Sequence, residues 1–155
     1  MRFLFTLIIC GSLYGQNHST KIGTWVDPTF TDGGFQLGIE LTKEFDDIGW
    51  VSVGTSHYAD LNPPYTDLVT SGGLMSYLLN HKQYYGARIG VEYRRGQPYP
   101  MVGFVVGNEF DLDRLLSIGF RVWRDYRASQ DRQFYGGSDS NKWRNNGALT
   151  LIFKL

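Results

Sequence analysis

Net charge is the first thing this chain of 155 residues lacks: 15 Lys and Arg are balanced by 15 Asp and Glu. A balanced chain gives no electrostatic reason to expect nucleic acid, which would favour a basic patch. Cysteine is nearly absent. The one thiol is Cys10, and loss of the N-terminal segment that carries it leaves no route to disulfide, redox or zinc-thiolate chemistry. Long hydrophobic runs are missing too. The main one, residues 3–10, falls far short of the roughly 20 residues a membrane-spanning helix requires. Three histidines, His18, His57 and His81, are too scattered to form a metal site, and no cofactor is expected.

Glycine and aromatic side chains are abundant instead. There are 19 glycines, and aromatics make up 15% of the chain while only 19% of residues are charged. With no convincing helical period, that balance points to an all-β fold. The length suits one domain and is too short for two ordinary ones. The N-terminus has the pattern of an export signal: Arg2, the apolar core 3–10, then the small residues Gly11, Ser12 and Gly15. Cleavage is expected before Gln16, with Gly11 and Leu13 as alternative first residues. Residues 1–15 are thus assigned as signal peptide and 16–155 as the single domain. Leu7-Ile-Ile-Cys10 also partly matches a lipoprotein box, from which the bulky Ile9 departs.

A period of two recurs along the rest of the chain and predicts eight strands. They are assigned to residues 21–30, 35–45, 50–59, 68–79, 84–94, 101–110, 115–126 and 143–155. In residues 84–94, Tyr85, Ala87, Ile89, Val91 and Tyr93 share one face, and Gly86, Arg88, Gly90 and Glu92 the other. The fourth segment is the least regular, because Gly72-Gly73 and Leu78-Leu79 blur its parity. The second, fourth and sixth connections (46–49, 80–83 and 111–114) are short and polar. The third (60–67) and seventh (128–146) are longer, the fifth (95–100) is intermediate and the first (31–34) is short. In a meander, even connections emerge at one end and odd ones at the other, so this asymmetry is that of an up-and-down barrel with turns at one rim and loops at the other. Strand lengths match the 9–11 residues of a tilted membrane strand.

Alternation alone fits either a membrane barrel or a lipocalin-like soluble barrel with its faces exchanged. Three features favour the membrane form. Gly38, Gly54, Gly86, Gly90, Gly103, Gly107 and Gly119 lie on the polar parity, where the concave side of a narrow barrel has least room. That face also carries Glu40, Arg88, Glu92, Glu109, Arg121 and Asp125, charges of both signs that can pair in a lumen. Aromatics sit near strand ends (Phe30, Phe35, Phe45, Trp50, Tyr77, Tyr85, Tyr93, Phe110, Tyr126, Trp143), as girdles at lipid–water boundaries do. In these respects residues 20–155 resemble small bacterial outer-membrane β-barrels of the OmpA/OmpX type. The resemblance implies an eight-stranded antiparallel barrel, exported to the bacterial outer membrane and in contact with its lipid. Such proteins usually end on an aromatic residue; here the end is Phe153-Lys-Leu155. A leading Gln16 is similar to exported proteins of Bacteroidota-like bacteria.

The six lumen charges are the strongest constellation. By parity, Arg88 and Glu92 are expected to engage Glu40, Glu109, Arg121 and Asp125 on other strands, as a plug of buried pairs or as a gated ion path. Eight strands leave no obvious channel, which favours the plug. Phe134, Tyr135 and Trp143 in the last loop are candidates for stacking on a host glycan or docking a surface protein, and Asp131, Asp139 and Asn141 for holding a cation, although their spacing is not that of a calcium loop. Thr55 and His57 share an outward face, in the arrangement some lipid A-trimming barrel enzymes give a Ser and a His. Ser56 points the other way, and no acid partner is evident. No catalytic residue is assigned. The expected role is structural or adhesive; the alternatives are a secreted ligand-binding barrel and a lipid-modifying barrel enzyme.

Overall fold

The computed structural model describes residues 19–28, 35–46, 48–59, 64–78, 81–94, 96–127 and 143–155. Residues 1–15, assigned above as a signal peptide, with Cys10 among them, and His18, Phe30, the first connection and the last-loop candidates Asp131, Phe134, Tyr135, Asp139 and Asn141 lie outside them.

Eight strands follow one another in space in chain order: β1 (Thr20–Pro28), β2 (Phe35–Phe45), β3 (Gly49–Tyr58), β4 (Tyr65–Leu78), β5 (His81–Arg94), β6 (Gln97–Asp111), β7 (Leu116–Arg127) and β8 (Trp143–Lys154). Each pairs antiparallel with its neighbours, and β8 closes on β1. Closure leaves no sheet edge.

The register fixes the shape of this barrel. Starting at Phe153, the outward row runs through Ile22, Leu41, Val53, Thr70, Ile89, Val102 and Tyr126, and returns to β8 at Trp143. One circuit therefore shifts the register by ten residues. At about 3.3 Å per residue and about 4.8 Å between strands, that stagger tilts the strands by about 40° from the axis. A barrel so built has an interior only as wide as interlocking side chains.

The faces are distributed inside out relative to a water-soluble barrel. Leu37, Ile39, Ile89, Val102, Phe104, Val122 and Leu149 point outward and are half or more exposed. Buried inside are Lys21, Asp27, Glu40, Glu44, Asp67, Arg88, Glu92, Arg94, Glu109, Arg121, Asp125 and Arg144, with Trp25, Trp50, Met75, Tyr84, Val105, Trp123 and Ala148 packed among them. Outward threonines in the belt satisfy themselves locally: the Thr24 hydroxyl donates to the Gly38 carbonyl at 3.0 Å and that of Thr55 to the Asp67 carbonyl at 2.8 Å. Neither leaves an unpaired hydroxyl on the apolar wall.

Three sequence expectations change. Pairing extends past the alternating segments, so that β4 starts at Tyr65, β5 at His81 and β6 runs from Gln97 to Asp111. Backbone ladders do not depend on which side chains alternate. The fifth connection is a tight hairpin, with Arg94 paired to Gln97. Gly96 adopts the left-handed region there (φ 76°), which glycine enters without a Cβ penalty. Pro98 and Pro100 lie beyond Met101, where the described pairing of β6 with β7 begins, near the strand end where proline is best tolerated. Trp50 is not a rim residue. Its side chain lies on the inward parity of β3, is buried, and donates from Nε1 to the Leu74 carbonyl at 3.1 Å.

Candidate functional site

The lumen is the one place among the described residues where chemistry-bearing groups converge, and they do so in layers along the axis. At the turn end, Lys21 from β1 reaches Glu44 on β2 (2.6 Å) and Glu109 across the barrel on β6 (2.8 Å). Lys82 of β5 meets the other Glu44 oxygen at 2.9 Å. The Tyr84 hydroxyl sits between the Glu44 and Glu109 carboxylates, within hydrogen-bonding reach of both, and accepts from Lys21 at 3.2 Å. Ser19 donates to Glu44 at 2.7 Å. Four strands are thereby tied across the bore by groups that burial forces to pair.

The middle layer holds two arginines. Arg121 of β7 pairs with Glu40 of β2 across the lumen, and its guanidinium lies 5.9 Å from the Trp50 ring and 5.8 Å from that of Tyr84. Arg88 of β5 donates from Nε to Asp125 of β7 at 3.2 Å, with the Trp123 ring 4.9 Å away. Cation–π contact of this kind stabilises a desolvated guanidinium where water is excluded. Trp25 completes the packing, edge-on to Trp123 at 6.4 Å. It fits because β2 carries glycine opposite it: a Cβ on Gly38 would fall 2.1 to 2.5 Å from the Trp25 ring atoms. One small cavity among the described residues, bordered by Trp25, Glu40, Ser71 and Arg88, measures about 10 Å³, room for about one water.

Towards the loop end, Tyr58 and Tyr65 stack at 4.1 Å, and Arg144 of β8 lies over both rings at 4.7 and 5.1 Å. Asp27, Asp67, Glu92 and Arg94 are buried at the same end.

The six charges singled out from the sequence are all buried, yet they do not form one connected set. Arg88 joins Asp125 and Arg121 joins Glu40. Glu109 belongs to the lysine layer. Glu92 stands near the other end of β5, in register with Asp67 and Tyr99. The strand tilt separates groups that share a parity. Lys21, Glu44, Lys82 and Tyr84 were missed. Tyr84 and Glu44 sit on the inward parity of strands already recognised, a signal that was present. Lys82 lay beyond the assigned start of β5. Asp27, Asp67, Arg94, Arg144 and Trp123 also lie on inward parities and escaped notice.

Outside the barrel, His57 Nδ1 is 3.1 Å from the Thr66 hydroxyl, and the Thr55 hydroxyl is committed to a backbone carbonyl. Ser56 is buried on the lumen side. These three do not assemble as nucleophile and base. Trp143, the described member of the recognition trio, packs edge-on to Tyr126 at 5.4 Å on the outer wall.

No family model matches this chain, and no curated protein does. Solved structures do. Outer membrane protein H (OprH) from P. aeruginosa shares 16% identity at a TM-score of 0.62, over 90% of this chain and 100% of that one. A major outer membrane protein from Thermus thermophilus shares 13% at 0.60, over 90% and 100%. Neisserial surface protein A shares 12% at 0.60, over 92% and 99%. At such identities the likeness is one of fold, and the fold held in common is the eight-stranded transmembrane β-barrel.

Proposed function

We propose that this protein is a bacterial outer-membrane β-barrel with a structural and surface-display role, its lumen closed by paired charges. The observation that carries this reading is the inversion of faces: an apolar wall outside, and buried cross-barrel ion pairs inside. Exposed aliphatic side chains in a continuous band are unstable against water and suit hydrocarbon. Charges of both signs in a narrow bore hold opposite strands together and close the path to ions. On this reading membrane lipid is the constant partner. Recognition of a glycan or surface protein is assigned to the last connection through Phe134 and Tyr135, with Trp143 at its foot on β8, and the barrel performs no catalytic step.

Planar-bilayer recording tests the closed lumen. Reconstituted protein should give no sustained conductance, and Arg88→Leu and Arg121→Leu should lower the unfolding temperature in detergent more than they change conductance. A large conductance gain at unchanged stability would overturn the plug.

A further inference from the structure

Among the described residues, one charge faces outward at the depth of the apolar belt. Arg124 of β7 has the outward parity of Ile118, Phe120 and Val122 and is exposed. The register and stagger place it within about 2 Å of the level of Leu37, Leu68, Ile89 and Val102, apolar outward side chains on four other strands. No carboxylate among the described residues forms a salt bridge with it. Its guanidinium is held instead 5.3 Å from the Trp143 ring, and Trp143 is braced by Tyr126. Directly opposite in the ladder is Asn145, also outward and exposed.

We propose that Arg124, with Asn145 and Trp143, forms a binding site on the outer wall for the net-anionic phosphomonoester headgroup of a membrane lipid. The inference rests on the membrane reading above. A guanidinium at the depth of a hydrocarbon belt needs an anion or a path to one, and its stem lets the head rise towards the headgroup layer. The planar fork matches phosphate oxygens, the Asn145 amide adds a neutral donor beside it, and the Trp143 ring fixes the fork without neutralising it. The lysine outward at the turn end, Lys43, lies over the Phe45 ring at 5.8 Å, next to the rim, and serves as an internal control.

The test is native mass spectrometry of the full chain, refolded in detergent and titrated with phosphatidic acid, phosphatidylcholine or inorganic phosphate. Wild type should retain one phosphatidic acid with about tenfold preference over phosphatidylcholine, the scale of one charged hydrogen bond. Arg124→Gln should lose that preference while keeping heat-modifiable migration on gels. Arg124→Lys should keep part of it, and Lys43→Gln all of it. Equal retention of both lipids by wild type, or an unaltered preference in Arg124→Gln, would overturn the site. Displacement of phosphatidic acid by equimolar inorganic phosphate would overturn its assignment to a lipid. A chain that stays in solution without detergent and retains neither lipid would instead overturn the membrane reading itself.

Discussion

Replacing Arg121 by leucine leaves Glu40 buried in the bore without its cation. The two side chains are 10% and 7% exposed, so solvent screens their attraction little, and the lost pairing cannot be made good by water. Removing one partner of such a buried pair costs about 3–5 kcal/mol. For a domain of this size that corresponds to a fall of roughly 6–20 °C in melting temperature. The surface pair Lys154–Asp111 supplies the contrast. Its separation is 2.6 Å, but the Asp111 side chain is 58% exposed, and Lys154→Gln should cost no more than about 1 kcal/mol. The double variant Glu40→Leu with Arg121→Met removes both charges at once and should recover most of the loss, because apolar side chains of similar volume replace a buried pair at little cost. The assay is the temperature at which the unboiled, fast-migrating gel form disappears in a fixed detergent. If Arg121→Leu is as mild as Lys154→Gln, or if the double variant is no better than the single one, the buried-pair reasoning is wrong.

Other outcomes follow from individual contacts. Gly38→Ala should destabilise the barrel markedly, because the new methyl would overlap the Trp25 ring; adding Trp25→Leu should relieve it in a double-mutant cycle of melting temperatures. Gly96→Ala meets nothing within 4 Å and should cost only about 1 kcal/mol for its left-handed backbone, read in the same assay. Leu149→Arg, 54% exposed on the outer wall, should cost about 2–4 kcal/mol when folding into lipid vesicles is followed by urea titration. Tyr84→Phe removes the hydroxyl shared by Glu44 and Glu109 and should lower the melting temperature without opening a conducting path in bilayers.

The barrel was legible because its strands alternate. Phe35, Leu37, Ile39 and Leu41 against Gln36, Gly38, Glu40 and Thr42 already fix which face of β2 is which, and the inward glycines mark the narrow side. Parity does not encode height. Glu109 and Arg88 share the inner surface but stand in different layers, set by a ten-residue stagger that only the ladder partners reveal. Trp50 illustrates the second limit. An aromatic near a strand end suits a girdle or a plug equally well, and its parity with Ser52 and Ser56 decides for the plug. Strand ends were hidden for a third reason: the β5–β6 hairpin keeps pairing through Pro98 and Pro100, where composition suggests a loop.

The inverted faces of the barrel require the apolar wall to meet lipid. Single cysteines at Ile89 and Leu149, carrying nitroxide labels in the reconstituted protein, report on it directly through their collision rates with oxygen and with a water-soluble nickel chelate. Lipid contact predicts high oxygen and low nickel accessibility at both sites, with the reverse at a label on Leu112 in the β6–β7 turn, which is 57% exposed. High nickel accessibility at Ile89 and Leu149 would contradict the account.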